Sequence, residues 1–167
     1  NNLICILQRC RKMKHQSYAL RLKLYMERKD LERHIVLGNY LVSMLAGCGH
    51  LCHAEEIMAR LEFRNPYSWN ALILSYIESG KVNDVFDLYK RMRSEGLYPT
   101  TYTFVALLKA CSIQKNLEMG RTLRKEIINM GMESDIFVGN ALIDMFGKCG
   151  SYIESREVFD SLPARDV

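Results

Sequence analysis

The stretch SWNALILSYIESGKVNDVFDLYKRMRSEGLYP, residues 68–99, decides the fold of this chain. Apolar side chains recur in its first half at the spacing i, i+3, i+4, i+7 and i+8, starting at Trp69, which predicts an amphipathic helix over about residues 68–79. Gly80 is a stop signal for that helix, and a second apolar stripe runs on to Gly96. The stretch therefore predicts two antiparallel helices joined by a short turn, and nothing in it predicts a strand.

The same pattern recurs along the chain. A shift of 101 residues lays Ile35 to Leu41 over Ile136 to Leu142, and it lays Cys48 over Cys149. A fixed period is typical of stacked helical repeats, in which each unit buries its apolar face against its neighbours. We therefore predict an all-α array of five helical hairpins with the boundaries 1–34, 35–65, 66–100, 101–135 and 136–166.

The bulk composition fits a folded protein and excludes several classes. Of the 167 residues 49% are hydrophobic and 25% are charged, which is too apolar for disorder. The net charge of +4 is compatible with an anionic partner without requiring one. No apolar run approaches the ~18–20 residues of a membrane span, and the six cysteines among helical apolar residues are expected to be reduced core thiols.

The start of the chain bears on its targeting, and its motifs bear on enzymatic activity. The chain begins with Asn1 and shows no signal or transit segment, so we expect a piece of a longer protein whose targeting address lies elsewhere. It contains no Gly-rich phosphate loop, no nucleophile motif and no His-x-Glu with Pro-Cys-x-x-Cys of the zinc deaminases. We predict a non-enzymatic segment that needs no cofactor.

One short cluster imitates a metal site. Cys48, His50, Cys52 and His53 have the residue types and spacing that bind Zn²⁺. The shift by 101 residues places Cys149 over Cys48 but brings none of the other ligands with it. We therefore interpret Cys48 as a packing residue, expect no metal, and interpret the equivalent pair Cys10 and Cys111 as core residues in the same way.

The motifs resemble those of the plant-type pentatricopeptide repeat family, PLS subclass. Residues 68–73 resemble the start of a P motif, residues 102–111 resemble an L motif, and residues 138–150 with Val158-Phe159-Asp160 resemble an S motif. On this resemblance the five repeats are of type L (1–34), S (35–65), P (66–100), L (101–135) and S (136–166).

That resemblance implies a right-handed α-solenoid whose first helices line a groove for single-stranded RNA, with one base per repeat. It also implies a mitochondrial or chloroplast protein that positions a transcript for processing such as C-to-U editing. Editing-factor proteins, or a deaminase-like C-terminal domain outside these residues, are the partners expected with it.

The resemblance further assigns roles by position within each repeat. The fifth and last residues face the base edge, as Asn amides can both donate and accept: Asn39 with Asn65, Asn70 with Thr100, and Asn140 with Asp166. The apolar fifth residues of Ile4 with His34 and Val105 with Asp135 should discriminate little. The second residues stack on bases (Val36, Tyr67, Tyr102, Phe137), and Lys148 contacts phosphate.

The implied preference is for pyrimidines, in the pattern N-(C/U)-(C/U)-N-U from 5′ to 3′. Asn140 with Asp166 resembles the family's uracil reader, and Thr with Asp in the same positions resembles its guanine reader. Lys148 has no lysine counterpart at Gly47, Glu78 or Ile113, so we expect weak contact with the RNA backbone.

Three other interpretations compete with this one. The asparagines could be helix N-caps, although Ser68, Gly38 and Gly139 precede them and could cap instead. The array could be a tetratricopeptide-like scaffold that binds a peptide, but Ile73 at the eighth position and the alternating repeat lengths argue against it. It could also be a structural segment of a larger enzyme.

Overall fold

The computed structural model describes residues 2–163, and that part of the chain holds ten α-helices, one short 3₁₀-helix and no strand. The fold class predicted from the repeat pattern is therefore confirmed. Helices α1 to α10 span Asn2–Met13, Gln16–Arg28, Ile35–Gly47, Leu51–Arg60, Pro66–Glu78, Val85–Ser94, Thr101–Gln114, Leu117–Asn129, Ile136–Lys148 and Tyr152–Ser161, and the 3₁₀-helix Val82–Asp84 precedes α6.

The helices form two compact units. In the N-terminal unit, Asn1–Tyr98, α1, α3 and α5 lie side by side, and each is paired with the helix that follows it in the chain. In the C-terminal unit, Pro99–Val167, α7 and α9 lie side by side, with α8 packed on α7 and α10 on α9. Each helix pair falls within one of the five predicted repeats, so the first helices of successive repeats are neighbours within each unit.

The largest side chains are buried in the cores of these units. Trp69, Phe104 and Phe146 are fully buried, so the apolar stripe predicted to start at Trp69 contributes to the core. The indole N–H of Trp69 donates to Glu95 Oε2 at 3.2 Å, so the polar atom of this buried ring keeps a partner.

The last residue of each repeat begins the first helix of the next. His34, Asn65, Thr100 and Asp135 are the N-caps of α3, α5, α7 and α9, and their side chains accept hydrogen bonds from backbone N–H groups of the first turn. The expectation that Ser68, Gly38 or Gly139 would cap was wrong. The reason is visible at Asn65: Pro66 fits the first helical position, so α5 begins two residues earlier than predicted.

Glycine takes the left-handed position of the turn in three of the five hairpins, at Gly49, Gly80 and Gly150, whereas Lys14 and Lys115 take it in the first and fourth. Gly80 and Gly150 have φ values of 76° and 80°, which lie in the left-handed region that side chains disfavour. Both follow the first helix of a repeat, as the sequence predicted for Gly80.

The second helices of the C-terminal unit carry apolar side chains at their surface. Ile128 of α8 and Ile153 and Phe159 of α10 are exposed, whereas Val158 is buried. Within the described residues, α8 packs on α7 and α9, and α10 packs on α9. No helix within residues 2–163 is both long enough and apolar enough to cross a membrane.

Candidate nucleic-acid interface

A cavity opens where α7 and α9 lie side by side in the C-terminal unit. It has a volume of about 380 Å³ and is lined by Thr101, Tyr102, Val105, Asp135 and Phe137. That volume lies within the ~300–1,000 Å³ typical of small-ligand sites. Four of the five lining residues were predicted to stack on bases or to face their edges.

The two aromatic residues at this cavity are presented to solvent. Tyr102 is 75% exposed and Phe137 is 74% exposed. Each occupies the second position of its helix, just after the N-cap, where the side chain lies outside the repeat's own core. Large exposed rings on neighbouring helices offer faces on which a planar ligand can stack.

Asp135 supplies the charge at this cavity. Its Oδ1 accepts from the N–H groups of Phe137 (2.9 Å) and Val138 (3.1 Å), and its Oδ2 accepts from the Thr101 hydroxyl (2.8 Å). Burial raises the pKa of Asp135, but the hydrogen bond from Thr101 and those from the two backbone N–H groups outweigh burial and hold the pKa below its usual value. Asp135 is therefore an ionised carboxylate at neutral pH.

The cavity combines polar and apolar walls. Val105, at the fifth position of its repeat, is half-buried and brings no hydrogen-bonding atom to the cavity wall. Three donors occupy three of the roughly four acceptor sites of the Asp135 carboxylate, which leaves one for an N–H group of a ligand.

Asn39 was predicted to face a base edge, but its side chain is buried. It is 2% exposed, and its Nδ2 donates to Ile35 O at 2.7 Å and to Phe63 O at 2.9 Å. Its Oδ1 accepts from the Asn65 N–H at 3.2 Å and from the Ser68 hydroxyl at 2.7 Å. Both donors and both acceptor sites of the amide are thus engaged within the chain, and contact with a base would require at least one of these bonds to be exchanged.

The other predicted residues of the first two repeats lie near the helix starts. Asn65 and His34 are exposed N-caps, Val36 is exposed, and Ile4 is half-buried on α1. Asn39 and Asn65 were predicted to read a base together. In the structure the backbone N–H of Asn65 donates to the Asn39 side chain, so the two residues bond to each other within the protein.

The pair predicted for the third repeat is divided between the two units. Asn70 is buried on α5 in the N-terminal unit. Thr100 caps α7 in the C-terminal unit, where it and Thr103 exchange hydrogen bonds in a capping box. Each of the two residues is thus anchored in the helix of its own unit.

Tyr67 lies in a cluster that the sequence did not reveal. Its hydroxyl accepts from Arg11 Nη1 at 2.7 Å, and the Arg11 guanidinium carbon lies 5.4 Å from the ring centroid. The Tyr40 ring packs on the Tyr67 ring with 5.4 Å between centroids. Tyr67 is 39% exposed, about half the exposed fraction of Tyr102. The sequence feature that points to Arg11 is the pair of basic residues, Arg11 and Lys12, in the last turn of α1.

The last repeat is described in part. Asn140 is exposed on the first turn of α9, whereas Asp166 lies outside the described residues. Lys148 is exposed at the end of α9, and its Nζ lies 2.8 Å from Asp144 Oδ2. This intrahelical pair reduces the charge that Lys148 could offer to a phosphate.

The cysteine-histidine cluster is built for packing. Cys48 is buried and its Sγ lies 3.6 Å from Cys10 O, while His50 Nε2 lies 3.0 Å from Gln16 O and Cys52 is exposed. Burial raises the pKa of Cys48 to about 12, so the thiolate that Zn²⁺ needs is disfavoured.

Two of the other cysteines fit the same interpretation, whereas Cys5 and Cys52 are exposed, so the expectation that all six are core thiols was wrong for these two. Burial also raises the pKa of Cys111 to about 12, and Cys10 and Cys111 are buried, which confirms that Cys10, Cys48 and Cys111 are core residues. Residues 2–163 contain no group of three or more His, Cys, Asp or Glu side chains suited to a metal ion.

Comparison with known proteins identifies the repeat. Residues 64–113 match the model of the PPR repeat family, and residues 140–167 match the PPR repeat model. The chain contains pentatricopeptide repeats. A chloroplastic pentatricopeptide repeat-containing protein of Arabidopsis thaliana is 31% identical over 163 residues, covering 96% of this chain and 31% of the relative.

Other pentatricopeptide repeat proteins are also similar to this chain. A mitochondrial pentatricopeptide repeat-containing protein of the same plant is 36% identical over 136 residues, covering 81% of this chain and 13% of the relative. The crystal structure of the pentatricopeptide repeat protein PPR10 from maize aligns with a TM-score of 0.55 at 19% identity, over 95% of this chain and 28% of that one. The fold is therefore the pentatricopeptide solenoid, and the chain spans less than a third of the length of these proteins.

Proposed function

We propose that this chain binds single-stranded RNA selectively, with one base per repeat, and so positions a transcript for processing. The observation that carries the proposal is the cavity between α7 and α9. Exposed aromatic rings from two successive repeats and the ionised Asp135 line one space of about 380 Å³. Stacking faces together with a hydrogen-bonding wall are the features that recognise an unpaired base.

The chemistry of the cavity suggests how a base would bind there. The Tyr102 and Phe137 rings stack on the base, a contact worth ~1–3 kcal/mol per base. Asp135 accepts from an N–H group on the base edge, and Val105 contributes shape without a hydrogen bond. The fourth repeat therefore tolerates several bases, and the fifth, whose Asn140 and Asp166 resemble the family's uracil reader, carries more of the selectivity.

Selectivity at the other repeats is expected to be lower. The closed hydrogen-bond set of Asn39 opposes base contact in the second repeat. We propose that the whole array prefers pyrimidines and that its repeats follow the PLS order L-S-P-L-S. The last repeat makes the strongest contribution to this preference.

The wider role belongs to the longer protein of which this chain is expected to be part. Relatives named chloroplastic and mitochondrial support an organellar location. We propose a role in organellar RNA processing such as C-to-U editing, with editing-factor proteins or a separate catalytic domain performing the chemistry.

The cavity can be tested with two phenylalanines of the same unit. Phe137→Ala should weaken binding of a short pyrimidine-rich RNA by about 5- to 150-fold, because it removes one stacking face worth ~1–3 kcal/mol. Phe159→Ala is the matched control, because Phe159 is 60% exposed but lies on the second helix α10. It should leave the affinity unchanged in the same fluorescence anisotropy titration.

Three outcomes would contradict the proposal. Equal losses in the two variants would mean that the cavity is not the binding site. Equal affinity for duplex or polypurine RNA would remove the base-recognition argument. Binding of a peptide without binding of RNA would favour the tetratricopeptide-like scaffold.

A further inference from the structure

The basic residues of the first helices in the N-terminal unit are concentrated in α1. Residues 9–14 contain Arg9, Arg11, Lys12 and Lys14 and no acidic residue. The other two first helices, α3 and α5, contain no lysine or arginine. A polyanion that lies along these three helices therefore meets positive charge on α1 alone.

Arg11 is the member of this segment that reaches the neighbouring helices. Its stem passes over Gly47 at the end of α3, so closely that a Cβ on Gly47 would lie 2.7 Å from Arg11 Cγ. Its guanidinium ends at Tyr67 on α5, where Nη1 donates to the phenol oxygen at 2.7 Å. One side chain thus links the first helices of three successive repeats.

The charge of Arg11 is not neutralised within the described residues. Lys14 pairs with Glu78 at 3.1 Å and Lys148 pairs with Asp144 at 2.8 Å, but no carboxylate within residues 2–163 lies within 4.0 Å of the Arg11 guanidinium. Its hydrogen bond goes to a neutral phenol, which orients the group and leaves most of its five N–H donors for another acceptor.

We infer that the guanidinium of Arg11 binds a phosphate of the RNA backbone. A planar guanidinium matches phosphate oxygens with two parallel N–H donors, which is why arginine suits this ligand. The inference rests on the proposed function, because it names the backbone contact of the same RNA. It places the main phosphate contact of the N-terminal unit on α1.

The test is the salt dependence of RNA binding by the full chain. For a single strand, each phosphate contact contributes about 0.7 to the slope of log K against log salt. Arg11→Gln should therefore lower the slope by about that amount, equally for pyrimidine and purine RNAs. Arg91→Gln is the matched control: like Arg11, Arg91 lies over an aromatic ring, 5.6 Å from the Trp69 centroid, but it is exposed and belongs to the second helix α6.

Two further variants separate charge from packing. Arg11→Lys keeps the charge without the planar fork, so it should retain most of the slope. Tyr67→Phe removes only the hydroxyl and keeps both the Arg11 charge and the aromatic ring, so it should also retain the slope. If loss of the Tyr67 contact were the cause of the Arg11→Gln effect, Tyr67→Phe would reproduce it, and the inference would be overturned.

The outcomes distinguish the inference from the proposed function. A wild-type chain that binds RNA with an unchanged slope in Arg11→Gln overturns the phosphate site and leaves RNA binding intact. An equal loss of slope in Arg91→Gln would also overturn it, because the effect would then be one of net charge. A wild-type chain that binds no RNA overturns both.

Discussion

An asparagine that the family resemblance assigns to a base edge is bonded within the protein. Asn39 is 2% exposed, and its amide bonds to Phe63 and Asn65 of the 61–65 segment and to Ser68 of the next repeat. The segment equivalent to 61–65 beside Asn140, residues 162–166, lies mostly outside the described residues. A repeat motif predicts where an amide lies along the helix, but it does not predict which neighbouring segment covers that amide.

Asn39 should therefore contribute to stability. Asn39→Ala leaves the Ile35 and Phe63 carbonyls, the Asn65 N–H and the Ser68 hydroxyl without this partner, so the free energy of unfolding should fall by about 1–3 kcal/mol. As a control, Gln8→Ala removes an exposed amide from α1 and should change the free energy of unfolding by less than about 0.5 kcal/mol. Urea unfolding monitored by circular dichroism measures the change in each variant, and equal changes would contradict the structural role of Asn39.

At the scale of the element, the sequence predicted the helices better than their ends. Apolar periodicity predicted each hairpin, and Gly80 was correctly placed at a turn. The N-caps were missed because a cap is defined by the residue whose side chain reaches the first turn, and several polar residues precede each helix. The four caps fall on the last positions of the repeats, so the residues predicted to face bases also fix the helix starts.

Two glycines of one hairpin separate turn geometry from helix propensity. A Cβ on Gly150 or on Gly147 meets no atom within 4 Å, but Gly150 has φ 80° whereas Gly147 lies inside α9. Gly150→Ala should destabilise the protein by about 1–2 kcal/mol. Gly147→Ala should stabilise it by about 0.5–1 kcal/mol. Thermal or urea unfolding gives both values, and changes of the same sign would contradict this account of the turn.

At the scale of the whole molecule, the repeat period was enough to predict the fold class. The family resemblance, and not the period, assigned Tyr102, Val105, Asp135 and Phe137 to the interface, and these four residues line one cavity. It did not predict Arg11, because that contact crosses two helix neighbours and depends on Gly47 having no side chain. Similarity to PPR10 at 19% identity shows that this fold is kept while most residues differ.

The central claim is that each repeat binds one base and that the last repeat selects uracil. The most direct test is a competition assay with RNAs that differ only at the 3′ base, using the wild-type chain and Asn140→Thr. The wild type should favour U there, and Asn140→Thr should favour G by about 5- to 150-fold if a matched contact is worth ~1–3 kcal/mol, with no change at the other bases. An unchanged preference in a folded Asn140→Thr variant would contradict the claim.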